Sequence, residues 1–360
     1  MFKPNFRITP QIASALMQIE ACRQAIDELP IDATVLRRLR ETAALSTTHF
    51  STQIEGNRLT LPEVRAAIKG ERMPGRERDE REVRNHFLAL KTMEELSEQQ
   101  GPLSEEHIQR LHGLVMTGRD KPSLYRTNQN VIRDSSTGSI VYLPPEAPDV
   151  PALMESLVEW TNAELAEGEL PAPIVAALAH YQFATIHPYL DGNGRIGRLL
   201  ITLLLDDWKL LSAPLLYLSL FFKRHRTEYY RLLSEVRRHG DWEAWTDFFL
   251  EGVATIADEA VSTARDVFAL VSADRQRVLA ASGASVIAVR LLEQLPVHPV
   301  VTIPGIVKLL KTTKPTAGKA VQLLESIAVL TETSGKRRDR TFAYKAYLER
   351  LRAGTELEER

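Results

Sequence analysis

The chain has 360 residues, 44% of them hydrophobic and 26% charged, with a formal net charge of −2, the profile of an ordinary soluble globular protein of two or three domains. Its one cysteine, Cys22, excludes an intramolecular disulfide framework and any cysteine-based zinc site. No apolar run reaches membrane-spanning length and the N-terminus lacks a signal-peptide pattern, so no membrane partner and a cytoplasmic location are expected.

Ile12, Leu16 and Ile19 fall at helical spacing, and Leu36, Leu39 and Leu45 continue the pattern after a break at Leu29-Pro30. Ser51 and Glu55 then lie four apart on one helical face, with Gly56 as a C-terminal stop. By composition alone this is an ordinary helix end with a solvated carboxylate. Thr60-Leu61-Pro62-Glu63 is a capping box that opens a short helix to Lys69. His86 lies in an amphipathic run to Leu96 and reads as structural. Gly101-Pro102 breaks the chain, and Ser104 starts a helix ending near Gly118.

Residues 119–150 are the least helical part. The turn cluster Asp134-Ser135-Ser136-Thr137-Gly138 precedes Ser139–Leu143, which alternates like a strand and stops at Pro144-Pro145. This predicts a small hairpin, roughly 129–143, by itself a surface loop with a local ribbon. Helices are expected over Pro151–Glu167 and Pro173–Ile186.

The stretch His187-Pro188-Tyr189-Leu190-Asp191-Gly192-Asn193-Gly194-Arg195-Ile196-Gly197-Arg198 carries the chemistry. Gly192, Asn193 and Gly194 allow backbone conformations in which successive N–H groups converge on an anion. A buried helix, expected to end near Leu211, follows with its positive end toward that turn. Arg195 and Arg198 share a face suited to a polyphosphate, Asp191 offers Mg2+ a hard oxygen, and His187 can accept a proton. Gly192–Gly197 also formally matches the dinucleotide fingerprint GxGxxG, but a helix rather than a strand precedes it, which argues against that reading. No Walker A, HExxH, GxSxG or kinase signature is present.

Arg226 opens a further helix carrying Tyr229, Tyr230, Arg231, Arg237 and Arg238, where paired tyrosines are usually core or interface residues. Trp242 to about Leu270 is one long helical stretch that suits packing or dimerisation, so a homodimer is among the expected assemblies. Beyond it come helices over Val286–Leu295, Ile303–Lys311 and Pro315–Ile327. Strands at Val329–Thr333 and Thr341–Tyr344 flank a basic tip, Ser334–Arg340. Between His298 and Leu348, nine Lys or Arg face three acids, the local footprint of contact with a phosphate backbone.

The motif resembles the signature of Fic-domain proteins, His-x-Phe-x-(Asp/Glu)-Gly-Asn-Gly-Arg-x-x-Arg, departing from it only at Tyr189. The resemblance implies a mostly α fold: a Fic-type helical core with a hairpin flap. It also implies a nucleotidyltransferase that moves AMP from ATP, with Mg2+, onto a hydroxyl of a target protein. His187 would be the base, Asp191 the metal ligand, and Gly192, Asn193, Gly194, Arg195, Ile196, Gly197 and Arg198 the phosphate cradle. Ser51, Glu55 and Gly56 match the family's inhibitory motif, in which Glu55 would pair with Arg198 and fill the γ-phosphate space. Tyr229 and Tyr230 would border the adenine pocket, and Ile140, Val141 and Tyr142 would face the target by strand addition.

The C-terminal pattern resembles the winged helix-turn-helix often appended to Fic domains, which binds either DNA or protein. The expected division is an N-terminal helical region with the inhibitory motif over 1–100, a Fic core over 101–275 and a winged helix over 283–350. Two rival readings stay open: an AMP-removing enzyme, and a DNA-bound regulator whose nucleotide site senses ATP or ADP.

Overall fold

Helical periodicity governs the first hundred residues of the computed structural model, which describes residues 2–30, 33–98, 101–133, 138–168, 170–207, 218–336 and 338–352. They form α1 (Pro10–Glu28), α2 (Ala33–Ile54), α3 (Leu61–Ile68) and α4 (Glu77–Glu98). The capping box appears as expected: Glu63 accepts from the Thr60 backbone N–H at 2.8 Å. In α5 (Glu105–Thr117), Ser104 accepts the His107 N–H and Gly118 closes the helix in the left-handed region.

A two-stranded antiparallel hairpin follows, β1 (Ile132–Arg133) and β2 (Ile140–Tyr142), with Ile132 opposite Tyr142 and Arg133 opposite Ile140. The turn cluster at 134–137 lies outside the described residues. Then come α6 (Val150–Glu167), α7 (Ala172–Ile186) and α8 (Asn193–Asp207). The expected end of α8 near Leu211 also falls outside them.

α7 is apolar on every side, from Ile174 through Phe183 to Ile186, and is buried nearly throughout, as an all-round hydrophobic helix must be. α6, α8 and α5 contribute to the same core, and the indole of Trp245 donates to the Ala177 carbonyl of α7 at 3.0 Å. The remaining helices are α9 (Leu218–Arg224), α10 (Arg226–His239) and α11 (Trp242–Ala280). α11 runs on to Ala280, past the Leu270 expected from sequence, because Val278 continues its buried face.

The C-terminal elements are α12 (Val286–Gln294), β3 (Val300–Thr302), α13 (Ile303–Leu310), α14 (Lys314–Ser326), β4 (Thr331–Glu332), β5 (Thr341–Ala343) and α15 (Lys345–Arg352). Ser285, Thr302 and Thr313 cap the three helices by accepting backbone N–H groups. β5 is the middle strand of an antiparallel sheet ordered β3-β5-β4. Sequence periodicity missed β3, whose three residues lead straight into α13. Asp274, 1% exposed, accepts from the Tyr344 hydroxyl and pairs with Arg277, which satisfies its buried charge.

By contacts the chain divides into two units, residues 1–24 with 43–258, and 25–42 with 259–360. No described helix is long and apolar enough to cross a membrane.

Candidate active site

The motif is the loop between α7 and α8. His187 ends α7 at φ +52°, a left-handed conformation uncommon for a residue with a side chain. Arg126 holds it there: Nε donates to the His187 carbonyl at 3.0 Å, and the backbone N–H of Arg126 donates to the Pro188 carbonyl at 2.9 Å. The same guanidinium reaches the carbonyls of Ile186 and Pro145, a cation placed on a helix C-terminus. Sequence reasoning passed over Arg126, since nothing local distinguishes it from a surface arginine.

Further along the loop, Tyr189 and Asn193 clasp each other. The Tyr189 N–H donates to Asn193 Oδ1 at 2.9 Å, and Asn193 Nδ2 donates to the Tyr189 carbonyl at 2.7 Å. The Tyr189 ring stacks on His112 with centroids 3.6 Å apart, while its hydroxyl is buried without a partner. The phenylalanine usual at this position would fill the same slot with no orphaned hydroxyl, so the tyrosine forfeits about 1–3 kcal/mol. Gly192, at φ +83°, passes so close to α5 that a Cβ would stand 2.8 Å from Met116 Sδ.

The two motif arginines part company. Arg198 is buried, donating through Nε to Ser51 Oγ at 3.0 Å and through one terminal nitrogen to the Ser51 carbonyl at 2.9 Å. That nitrogen also donates to Glu55 Oε1 at 2.8 Å. Ser51 Oγ lies 3.0 Å from Nε2 of the fully buried His86. Either group can be the donor of that hydrogen bond, according to the imidazole tautomer. His86 is structural, as expected, and it supports the segment that carries Ser51 and Glu55.

Gly56, at φ +96°, ends the turn after α2, and Asn57 Nδ2 ties it to Glu82 Oε2 at 3.0 Å. Arg195, by contrast, donates to Glu82 Oε1 at 2.7 Å and to Asp191 Oδ1 at 3.3 Å. Its charge is already engaged on that side of α8.

A cavity of about 350 Å³ opens beside the motif. Among the expected site residues, His187, Asn193, Gly194, Arg198, Tyr229, Tyr230, Glu55, Val141 and Tyr142 line it. Asp191, Gly192, Arg195, Ile196, Gly197, Ser51, Gly56 and Ile140 are not among its lining residues. Ile196 is buried in the core and Gly197 backs onto His180, so both serve packing.

Tyr229 is buried, its hydroxyl 2.8 Å from His180 Nε2, whereas Tyr230 is 42% exposed. In the hairpin, Ile140 and Val141 are exposed, but the Tyr142 hydroxyl donates to the Thr185 carbonyl at 2.9 Å. Tyr142 thus anchors the hairpin to α7 instead of presenting its side chain outward. Arg226, Leu233, Ser234 and Arg237 also line the cavity, and only the tertiary arrangement singles them out.

Burial drives the His187 imidazole down to about 4, against a hydrogen bond to the Ala184 backbone that works the other way. It is neutral at ordinary pH, with one ring nitrogen engaged, and can take a proton on the other. Asp191 has a 68% exposed carboxylate whose Oδ1 accepts the Gly192 N–H at 2.6 Å. Among the described residues no cluster of three or more His, Cys, Asp or Glu could hold a metal unaided. One exposed carboxylate beside a phosphate site is nevertheless a donor set that fits Mg2+, which takes one or two carboxylates and completes its shell with phosphate oxygens and water.

Four buried imidazoles make acid stability testable. Burial lowers His49, His180 and His187 to about 4 and His86 to about 3, from 6.5. As pH falls below 6.5, the unfolded chain binds these protons first, so stability is lost down to about 4. Each histidine contributes a slope of up to about 1.4 kcal/mol per pH unit in that window. Calorimetry should show Tm falling steadily from pH 6.5 to 4; a flat Tm would mean that the fold keeps these rings protonated.

Residues 102–205 match the Fic/DOC family. The chain is 29% identical over 240 residues to the protein adenylyltransferase Fic of Drosophila willistoni, covering 66% of this chain and 45% of that protein. The match to the Drosophila erecta protein of the same name is also 29%, over 66% and 46%. The chain thus spans about half the length of these curated relatives. Among solved structures, a Fic family protein from Desulfovibrio desulfuricans G20 superposes with a TM-score of 0.64 at 26% identity, covering 95% of this chain and 98% of the other. Fic-1 (residues 134–508) from C. elegans gives 0.58 at 27% identity, over 70% and 72%. With the motif folded as a loop between a buried helix and a helix N-terminus, residues 102–205 carry a Fic/DOC-type domain.

Proposed function

We propose that the chain is a protein adenylyltransferase that moves AMP from ATP to a Ser, Thr or Tyr hydroxyl of a target protein, itself included, and that Glu55 restrains it. The observation that carries this reading is the Glu55–Arg198 pair, 2.8 Å, lining the same cavity as His187. His187 takes the proton from the incoming hydroxyl, whose oxygen bonds to the α-phosphorus as the bond to the pyrophosphate oxygen breaks. The N–H groups of Asn193 and Gly194, at the N-terminus of α8, stabilise the developing negative charge. Asp191 would hold Mg2+, which supplies charge neutralisation to the leaving phosphates. Ile140 and Val141, exposed on β2, offer the target an edge to pair with.

Mass spectrometry of cell extract incubated with the protein, ATP and Mg2+ tests this reading. An AMP adduct on a protein, lost with His187→Ala, is the expected result. No adduct even with Glu55→Gly would overturn it in favour of a nucleotide sensor.

The C-terminal unit supports a second reading, a winged helix that binds DNA. Three capped helices, a three-stranded sheet and the exposed Lys336 and Arg338 between β4 and β5 favour it, while Arg337 lies outside the described residues. Replacing Lys336 and Arg338 with alanine should weaken DNA binding and reduce the log–log salt slope by roughly one to two. If the intact chain shows no salt-sensitive DNA binding, this unit is a protein-interaction module.

A further inference from the structure

The cavity beside His187 runs along α10. At one end the Tyr229 hydroxyl meets His180, whose Nδ1 lies 2.9 Å from the Gly197 carbonyl on α8, next to Arg198. Eight residues on, Arg237 continues the same wall, about 12 Å further at 1.5 Å per residue. That span seats a nucleoside between the phosphate end and the far wall. The rings of Tyr230 and Tyr142 supply flat faces there, and Leu233 adds an aliphatic contact.

Arg237 is the cation that lines the cavity from the C-terminal half of α10. Its guanidinium carbon lies 3.8 Å from the centroid of the Tyr142 ring, and Nε donates to Thr185 Oγ1 at 3.4 Å. Tyr181 bonds it as well, and the groups that act on its charge are the hydroxyls of Tyr142, Tyr181 and Tyr229. Among the described residues no carboxylate forms an ion pair with it. A half-buried cation with donors facing a cavity and no anion beside it is completed by acceptors on a ligand. A guanidinium offers donors only, in a planar fork. That fork matches O6 and N7 of guanine, two adjacent acceptors, whereas adenine presents a donor beside an acceptor and suits Asn or Gln.

We infer that Arg237 reads the nucleobase and favours guanine over adenine, so that guanosine triphosphate is a second nucleotide donor at this site. The inference rests on the proposed function only in that the cavity holds a nucleoside triphosphate with its phosphates toward Arg198. The reaction is unchanged. The target oxygen bonds to the α-phosphorus, the bond to the bridging oxygen breaks, pyrophosphate leaves with the electron pair, and His187 takes the proton.

The test uses the full chain with Glu55→Gly, titrated calorimetrically with ATP and with GTP in the presence of Mg2+. The same titrations are run with Arg237→Asn and Arg237→Lys added. The ratio of the two affinities on one sample does not depend on how much of it is folded. The parent should favour GTP by roughly tenfold, Arg237→Asn should reverse the order, and Arg237→Lys should keep a reduced guanine preference. An adenine preference in the parent, or a ratio unmoved by Arg237→Asn, overturns the inference. An unmoved ratio with altered labelling of target proteins would instead give Arg237 to an acidic target side chain. Guanine-selective binding without any transfer would sink the adenylyltransferase reading and, with it, the donor role of GTP, while the guanine selectivity of Arg237 would stand; binding of neither nucleotide would sink both.

Discussion

Glu55→Gly should raise AMP transfer by on the order of 10²-fold over the wild-type chain. The carboxylate sits 2.8 Å from a terminal nitrogen of Arg198, a guanidinium 3% exposed, in a charge-assisted pair. It also crowds the phosphate turn: a Cβ added at Gly194 would stand 2.2 Å from Glu55 Oε1. On the proposed function, the outer phosphates of ATP would need both that guanidinium and that space. With Glu55 seated, ATP can enter by its nucleoside, but its phosphates sit badly for in-line attack, and about 1 Å of misplacement accounts for the expected factor.

Charge and volume both contribute, so Glu55→Gln should activate less than Glu55→Gly. ADP, lacking the γ-phosphate, should tolerate Glu55 better than ATP. Labelled AMP transfer by wild type, Glu55→Gly and the double variant with His187→Ala should be weak, strong and absent. Equal labelling by wild type and Glu55→Gly would reduce the segment to an ordinary helix end.

His187→Ala should lower transfer by ~10²–10⁴-fold or more while leaving ATP binding nearly intact. The imidazole lines the cavity at the end of α7, whereas Arg198 and the Gly194 turn belong to α8, so the base can be removed without touching the phosphate grip. Nucleotide titration beside a transfer assay separates the two roles. A parallel loss of binding would assign His187 to the nucleotide instead of the incoming hydroxyl.

The pH profile adds an independent check. Because burial puts the ring near 4, the base is already neutral at neutral pH, and kcat/KM should fall only as pH drops toward about 4. An acid limb near 6.5 would mean that the ring is solvated in the working enzyme.

Much of the fold was legible because it is written locally. The capping box at Thr60, the Ser104 cap, the Gly56 and Gly118 stops and the helices around the motif follow from residues within one or two turns of each other. Elements with little local signal were misjudged: β3 is three residues long, and α11 runs ten residues past its expected end. The twelve-residue motif suggested a base, a phosphate turn and a metal ligand, and His187, Asn193, Gly194 and Arg198 of it line one cavity.

What each residue does with its neighbours was decided only in three dimensions. By itself the sequence determined the helical class, the motif and the candidate inhibitory glutamate, since each is a pattern of adjacent or helically spaced side chains. It could not separate two arginines three residues apart. Arg198 turns to Ser51, 147 residues away, and Arg195 turns to Glu82, 113 away. Nor could it tell that Tyr142 anchors the hairpin, that Arg126 props up His187, or that Arg237 lines the cavity. Those assignments come from packing that brings distant segments together, where burial and the supply of hydrogen-bond partners, absent from any local pattern, choose among chemically identical side chains.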